Sequence, residues 1–100
     1  MADTSSLLRD ARLVVMDVDG TLTDGTVALL GGSATELAQE IQTFDVRDGI
    51  ALRWLSKAGL QLAWISGRGT SATQARGAEL GIHHVLLRIQ DKRAELTRLQ

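Results

Sequence analysis

The chain has 100 residues, 44% apolar and 23% charged, with 11 basic against 12 acidic side chains for a net charge of −1. That balance lacks the basic excess a nucleic-acid binder or polybasic membrane anchor needs, and no apolar run approaches the ~20 residues that span a bilayer. The absence of cysteine removes disulfides, zinc ribbons and thiol nucleophiles together. The expectation is one soluble, cytoplasmic domain over residues 1–100. A chain of this length buries roughly 60–70% of its unfolded surface, enough for a single core. The acid at Asp3, ahead of any apolar stretch, does not read as a secretory signal.

Leu13-Val14-Val15-Met16 is a short apolar run closed by Asp17-Val18-Asp19-Gly20, which predicts a strand buried on both faces. Residues 26–30 and 40–44 read as two further strands around the turn cluster Gly31-Gly32-Ser33. Ile41 lies between the polar Glu40 and Gln42, so the pair reads as a solvent-edge hairpin, with a helical turn over 35–40 as the alternative. Asp48-Gly49 opens a helix whose predicted apolar stripe is Ile50, Ala51, Trp54, Leu55 and Ala58, capped by Gly59. Leu60 to Ile65 is a second buried strand ended by Ser66-Gly67-Arg68-Gly69. Residues 70–80 are helical and stop at Gly81, His83 to Leu87 is a third strand, and Asp91 begins a last helix. Alternating strands and helices predict an α/β fold, a Rossmann-like parallel sheet with right-handed crossovers.

Ligands of such sheets bind beyond the carboxyl ends of the strands. Those ends carry Asp17 to Thr21, Ser66-Gly67-Arg68, and the segment from Arg88 to Lys92. Two carboxylates one residue apart offer oxygen ligands of the kind Mg²⁺ prefers. One carboxylate can attack phosphorus while the other protonates the leaving group and then activates water. Ser66 and Lys92 would hold phosphoryl oxygens and neutralise their charge. Each piece alone has a plainer reading. Asp-x-Asp-Gly is a common turn, Ser-Gly-Arg a loop or helix cap, and Lys92 a solvated side chain. His83 and His84 read as structural or exposed, and Thr23 and Asp24 as cap or turn residues. The joint order, one motif per strand end, favours the chemical reading.

These residues carry a resemblance. Asp17-Val18-Asp19-Gly20-Thr21-Leu22-Thr23-Asp24-Gly25 resembles the first motif of the haloacid dehalogenase superfamily phosphatases. Val46-Arg47-Asp48-Gly49, Ile65-Ser66-Gly67-Arg68 and Lys92 narrow the likeness to its capless branch. The likeness runs from about Leu13 to the end of the chain. It implies a magnesium-dependent phosphomonoester hydrolase working through an aspartyl-phosphate. Its substrate would be a phosphorylated eight-carbon keto sugar acid, and its product would feed lipopolysaccharide synthesis. By resemblance Asp17 is the nucleophile and a metal ligand, and Asp19 is the general acid/base that also serves the metal. Ser66 and Lys92 stand at the second and third motifs. Asp45, Val46, Arg47, Asp48 and Gly49 line the substrate site with Gly67, and Arg53, Arg68 and Arg76 face the substrate's anionic groups, which guanidinium pairs bidentately. A solvated helix face is the plainer reading of Arg53 and Arg76. The hairpin at 26–44 is the element through which such proteins close a homotetramer, a neighbouring subunit replacing a cap domain.

Three features depart from the family pattern. The hairpin loop from Gly31 to Ala38 is longer, Asp45 stands where an asparagine is usual, and the chain stops before the fourth motif, which brings a further metal carboxylate. A fold incomplete at its C-terminal end is therefore expected, with Leu13–Val18 left as an exposed apolar edge. Competing readings are a nine-carbon, sialic-acid-type 9-phosphate phosphatase, the phosphatase-like module of a nucleotide-sugar synthetase, and an inactive oligomerisation module. A flavodoxin-like receiver domain is disfavoured because its acidic pair and its phosphoacceptor sit at separate strand ends.

Overall fold

The computed structural model describes residues 11–34 and 37–99; the N-terminal segment read above for targeting lies outside them. Among the described residues, five strands and three helices follow one another. They are β1 (Leu13–Asp17), β2 (Ala28–Leu30), β3 (Gln39–Ile41), α1 (Val46–Lys57), β4 (Gln61–Ile65), α2 (Ser71–Leu80), β5 (His84–Leu86) and α3 (Lys92–Leu99). β1, β4 and β5 form a parallel sheet in that order, and β2 with β3 makes a separate antiparallel ribbon. The register runs from Leu13 opposite Gln61 to Asp17 opposite Ile65, and from Ala63 opposite His84 to Ile65 opposite Leu86. The strand ends at Asp17, Ile65 and Leu86 are thereby level, which sets the three candidate motifs along one edge.

The core follows from period-two alternation. Leu62 and Trp64 of β4 are buried with Val18, Leu22, Leu52 and Ile82, and Val14, Met16, Phe44, Leu55, Leu80 and Val85 pack around them. Phe44 stacks on Trp64 with ring centroids 5.9 Å apart. Helix α2 can approach this face only because residue 77 is glycine. A Cβ there would lie 2.6 Å from Val85 Cγ2 and 3.6 Å from the Trp64 ring. Thr70 caps α2 by accepting from Thr73 N at 3.2 Å, and Gly81 ends it at φ 70°, a conformation in which a Cβ is costly.

The α/β class and parallel sheet are as the alternation predicts, but three expectations need correction. β1 is not buried on both faces. It is half-buried along its whole length, because among the described residues β4 alone pairs with it and takes the central place instead. Helix α1 begins at Val46, where Asp45 accepts from Arg47 N at 2.8 Å as N-cap, rather than at Asp48. Of its predicted apolar stripe only Leu55 packs against the core. Gly49 and Leu52 are the buried residues of the helix, while Ala51 and Ala58 are exposed and Ile50 and Trp54 are exposed at 47% and 69%. The hairpin strands are shorter than read. Gln39 and Glu40 are strand, Leu37 and Ala38 have no regular structure, and residues 35 and 36 of the alternative helical turn lie outside the described set.

His83 is structural, its Nδ1 accepting from Leu62 N at 3.0 Å. Thr23 is a turn residue whose hydroxyl accepts from Gly20 N and Gly25 N. No described helix is long and apolar enough to cross a membrane.

Candidate active site

The first carboxylate, Asp17, is the last residue of β1. The chain then winds tightly, with the Val18 carbonyl accepting from Thr21 N, Leu22 N and Thr23 N at 3.2, 2.9 and 3.1 Å. That turn buries Val18 and holds Asp19 beside Asp17. Ser66 follows β4 directly and is 1% exposed. Its N–H donates to Leu86 O at 2.9 Å and its carbonyl accepts from Ile89 N at 3.0 Å, tying it to the chain that leaves β5.

Two carboxylates with different partners result. Asp17 Oδ1 pairs with Lys92 Nζ, at the start of α3. Asp19 Oδ2 accepts from Ser66 Oγ at 2.7 Å, and its Oδ1 accepts from Gln42 Nε2 at 3.0 Å. Ser66 Oγ in turn accepts from Arg68 N at 3.1 Å. The structure therefore brings Asp17, Asp19, Ser66 and Lys92 together, with Gly67 and Arg68 beside them. Ser66 is bound to Asp19, and Lys92 to Asp17.

Gln42 was not singled out from the sequence. Its carbonyl oxygen accepts from the hydroxyls of Thr70 and Thr73 at 2.5 and 2.6 Å, so one side chain links Asp19 to the buried cap of α2. The alternation around Ile41 places Glu40 and Gln42 on one face of the hairpin, but a polar strand face ordinarily means solvent. Glu40, the other polar residue of that face, ion-pairs with Arg68.

The remaining candidates lie elsewhere. Arg47 is 88% exposed and paired with Asp45. The hydrogen bonds and charge of Arg47 hold the Asp45 carboxyl at about 2, well below its ordinary value, and that carboxylate raises the Arg47 guanidinium in return. Asp45 and Asp48 border a small cavity with Thr21, Thr23 and Asp24. The expected convergence of Arg53, Arg68 and Arg76 is not formed. Arg53 and Arg76 line a cavity of about 280 Å³ with Val46 and Gly49 between α1 and α2, whereas Arg68 lines a separate one of about 740 Å³. Arg76 is held there by Glu79 at 2.7 Å and lies against Gly49, where a Cβ would meet its guanidinium.

No family model matches the chain. Among solved structures it resembles a putative hydrolase of the HAD superfamily, subfamily III A, from Legionella pneumophila. The two are 31% identical with a TM-score of 0.78, over 89% of this chain and 46% of that one. With its acid pair at the end of β1, Ser66 after β4 and Lys92 after β5, the chain belongs to the haloacid dehalogenase superfamily.

Within it the likeness is to the 3-deoxy-D-manno-octulosonate 8-phosphate phosphatases. The Escherichia coli BL21-DE3 protein is 34% identical over 84 residues, 84% of this chain and 42% of that protein. The Moraxella catarrhalis enzyme, solved with magnesium, phosphate and the sugar acid, is 32% identical with a TM-score of 0.81, over 97% of this chain and 55% of that one. The chain thus spans about half the length of the relatives it matches.

Proposed function

We propose that the chain belongs to a magnesium-dependent phosphatase releasing phosphate from 3-deoxy-D-manno-octulosonate 8-phosphate, in the cytoplasmic synthesis of a lipopolysaccharide sugar. The observation that carries this is the division of labour between the two carboxylates, Asp17 against a cation and Asp19 within a hydrogen-bonding cluster. In the first step an Asp17 oxygen attacks phosphorus and the P–O ester bond breaks. The departing alkoxide takes the proton of the Asp19 carboxyl. In the second step Asp19, now a carboxylate, takes a proton from water, whose oxygen displaces Asp17 from phosphorus and leaves inorganic phosphate. Ser66 and Lys92 turn from their carboxylate partners to the phosphoryl oxygens, Lys92 offsetting the charge that builds there.

The donor atoms suit a magnesium ion. Asp17 would offer a carboxylate oxygen and Asp19 its backbone carbonyl, both the oxygen ligands Mg²⁺ takes, with water and phosphate completing the shell. Among the described residues no cluster of three or more metal-ligating side chains forms, so these two would hold it. A magnesium ion held there would supply neutralisation of phosphoryl charge and help orient the group for in-line attack.

The hairpin supports a homotetramer as the working assembly. Val27, Leu29, Leu30 and Ile41 are exposed at 50%, 65%, 59% and 45%, more apolar surface than a β-ribbon leaves in water without a partner. The test is phosphate release from the 8-phosphate, with and without Mg²⁺, by the chain and its Asp17→Asn variant. Release that needs Mg²⁺ and disappears in the variant is expected. Turnover retained in Asp17→Asn above a few per cent overturns the assignment of the nucleophile.

A further inference from the structure

Asp19 can carry an acid proton on either carboxylate oxygen, and the two oxygens have different neighbours. Oδ2 accepts from Ser66 Oγ at 2.7 Å, and Oδ1 accepts from Gln42 Nε2 at 3.0 Å. A hydroxyl can reverse its role and accept instead of donate, whereas an amide N–H only donates. The way round in which the Gln42 amide is held therefore decides where the Asp19 proton can reside.

The buried start of α2 fixes that orientation. Gln42 Oε1 accepts from Thr70 Oγ1 at 2.5 Å and from Thr73 Oγ1 at 2.6 Å. Thr73 is 1% exposed and Thr70 8%, so their hydroxyl protons need acceptors within the protein. Thr70 Oγ1 already accepts from Thr73 N at 3.2 Å and has Thr73 Oγ1 as a second acceptor at 3.0 Å. The Thr73 proton is given to Gln42 Oε1. Turning the amide over would set Nε2 against the two hydroxyls and Oε1 against Asp19 Oδ1, an acceptor facing an acceptor.

Resting on the phosphatase reading above, we infer that Gln42 is a positioning residue that keeps the acid proton of Asp19 on Oδ2. With Nε2–H fixed on Oδ1, a proton on that oxygen would meet a donor, so the protonated carboxyl carries it on Oδ2. In this acid form the Ser66 contact reverses. Oδ2–H donates to Ser66 Oγ, and the Ser66 proton is free for a phosphoryl oxygen. When the P–O ester bond breaks, its electron pair stays on the leaving oxygen and the Oδ2 proton passes to it. Asp19 is left a carboxylate, with Gln42 still donating to Oδ1.

The test compares two single-turnover rates, release of the sugar acid from 3-deoxy-D-manno-octulosonate 8-phosphate and of p-nitrophenolate from p-nitrophenyl phosphate. The sugar leaves as an alkoxide that needs the Asp19 proton, and p-nitrophenolate leaves without one. In Gln42→Met, which has no donor, the ratio of the first rate to the second should fall about tenfold, part of the roughly 10²–10⁴-fold that a placed general acid supplies. Gln42→Glu keeps an acceptor for both threonine hydroxyls and should show the same fall, which holds the inference to account even where the methionine variant does not fold. A side chain that only stabilised the fold would slow both releases alike. An unchanged ratio in a chain that turns over both substrates overturns the inference and keeps the phosphatase reading. Independently of turnover, NMR should show the Gln42 side-chain amide protons exchanging with solvent more slowly in the wild type than in Asp19→Ala. Equal exchange overturns the inference too. Slow, Asp19-dependent exchange in a chain that releases neither product removes the phosphatase reading and keeps the amide on Oδ1.

Discussion

β4 and the hairpin strand β2 are both short apolar segments, yet Leu62 to Ile65 are almost wholly buried while Ala28, Leu29 and Leu30 are all exposed. The difference lies in pairing. β4 has a parallel neighbour on each edge and packs against α1, whereas the hairpin strands pair only with each other. Apolar composition makes a segment capable of burial, and topology decides whether burial happens within one chain. The two regions also divide the site between them. β4 delivers Ser66 and Arg68 from a rigid centre, and the outgoing end of the hairpin reaches back with Glu40 and Gln42 to touch Arg68 and Asp19.

The contrast breaks most visibly at Trp64. It is 1% exposed, stacked on Phe44 and set under Gly77. Trp64→Ala should cost roughly 3–5 kcal/mol, the range for emptying a core aromatic site, and chemical denaturation would measure it. A loss below 1 kcal/mol would show that β4 is not the stabilising centre.

Gln42 joins the two regions, and its removal has the next largest effect. Gln42→Ala strips Asp19 of a donor and leaves the buried Thr73 hydroxyl without its acceptor, Thr70 keeping Thr73 Oγ1 as a partner, a cost of roughly 1–3 kcal/mol. If Gln42 positions Asp19, kcat should fall while KM stays near the wild-type value, and the pH–rate profile should shift. A stability loss with an unmoved profile would make the residue purely structural.

On the hairpin itself, Leu29→Ser should change monomer stability by no more than about 0.5 kcal/mol, as at other solvent-facing positions. If the exposed ribbon closes a tetramer, the same change should lower the assembled mass in analytical ultracentrifugation. An unchanged mass would move the subunit interface off the ribbon.

This pattern explains what was readable from the sequence. The strand-end motifs were legible because a turn after a buried strand is a local event: Asp17, Asp19 and Ser66 sit where the run of apolar residues stops. Lys92 was readable for the same reason, although its partner is 75 residues away. Gln42 was not, since it has no local signature: it acts only because the hairpin folds back on α2. The stripe of α1 was misread because periodicity reports an apolar face without saying what covers it. The helix turns Leu52 to β4 and leaves Ile50 and Trp54 outward. Arg53 and Arg76 separate from Arg68 for a related reason, since they belong to the α1–α2 contact and Arg68 to the edge beyond β4.

The smallest expected effect is electrostatic and belongs to the junction where the hairpin passes into α1. Asp45 caps that helix and pairs with Arg47, whose hydrogen bonds and charge hold its carboxyl at about 2 in the folded chain, against about 3.9 when unfolded. A carboxyl depressed on folding stabilises the native state above its unfolded value, and that contribution is lost as pH falls from about 4 through about 2. The pair is solvent-exposed and screened by salt, so the effect should be slight and should shrink as ionic strength rises. Asp45→Asn keeps a side-chain acceptor for the cap while removing the charge. The melting temperatures of variant and wild type should therefore differ at pH 6 and converge as the pH approaches 2. A gap that stays constant across that range would assign the contribution of Asp45 to cap geometry alone, and the hairpin-to-helix junction would then hold without its ion pair.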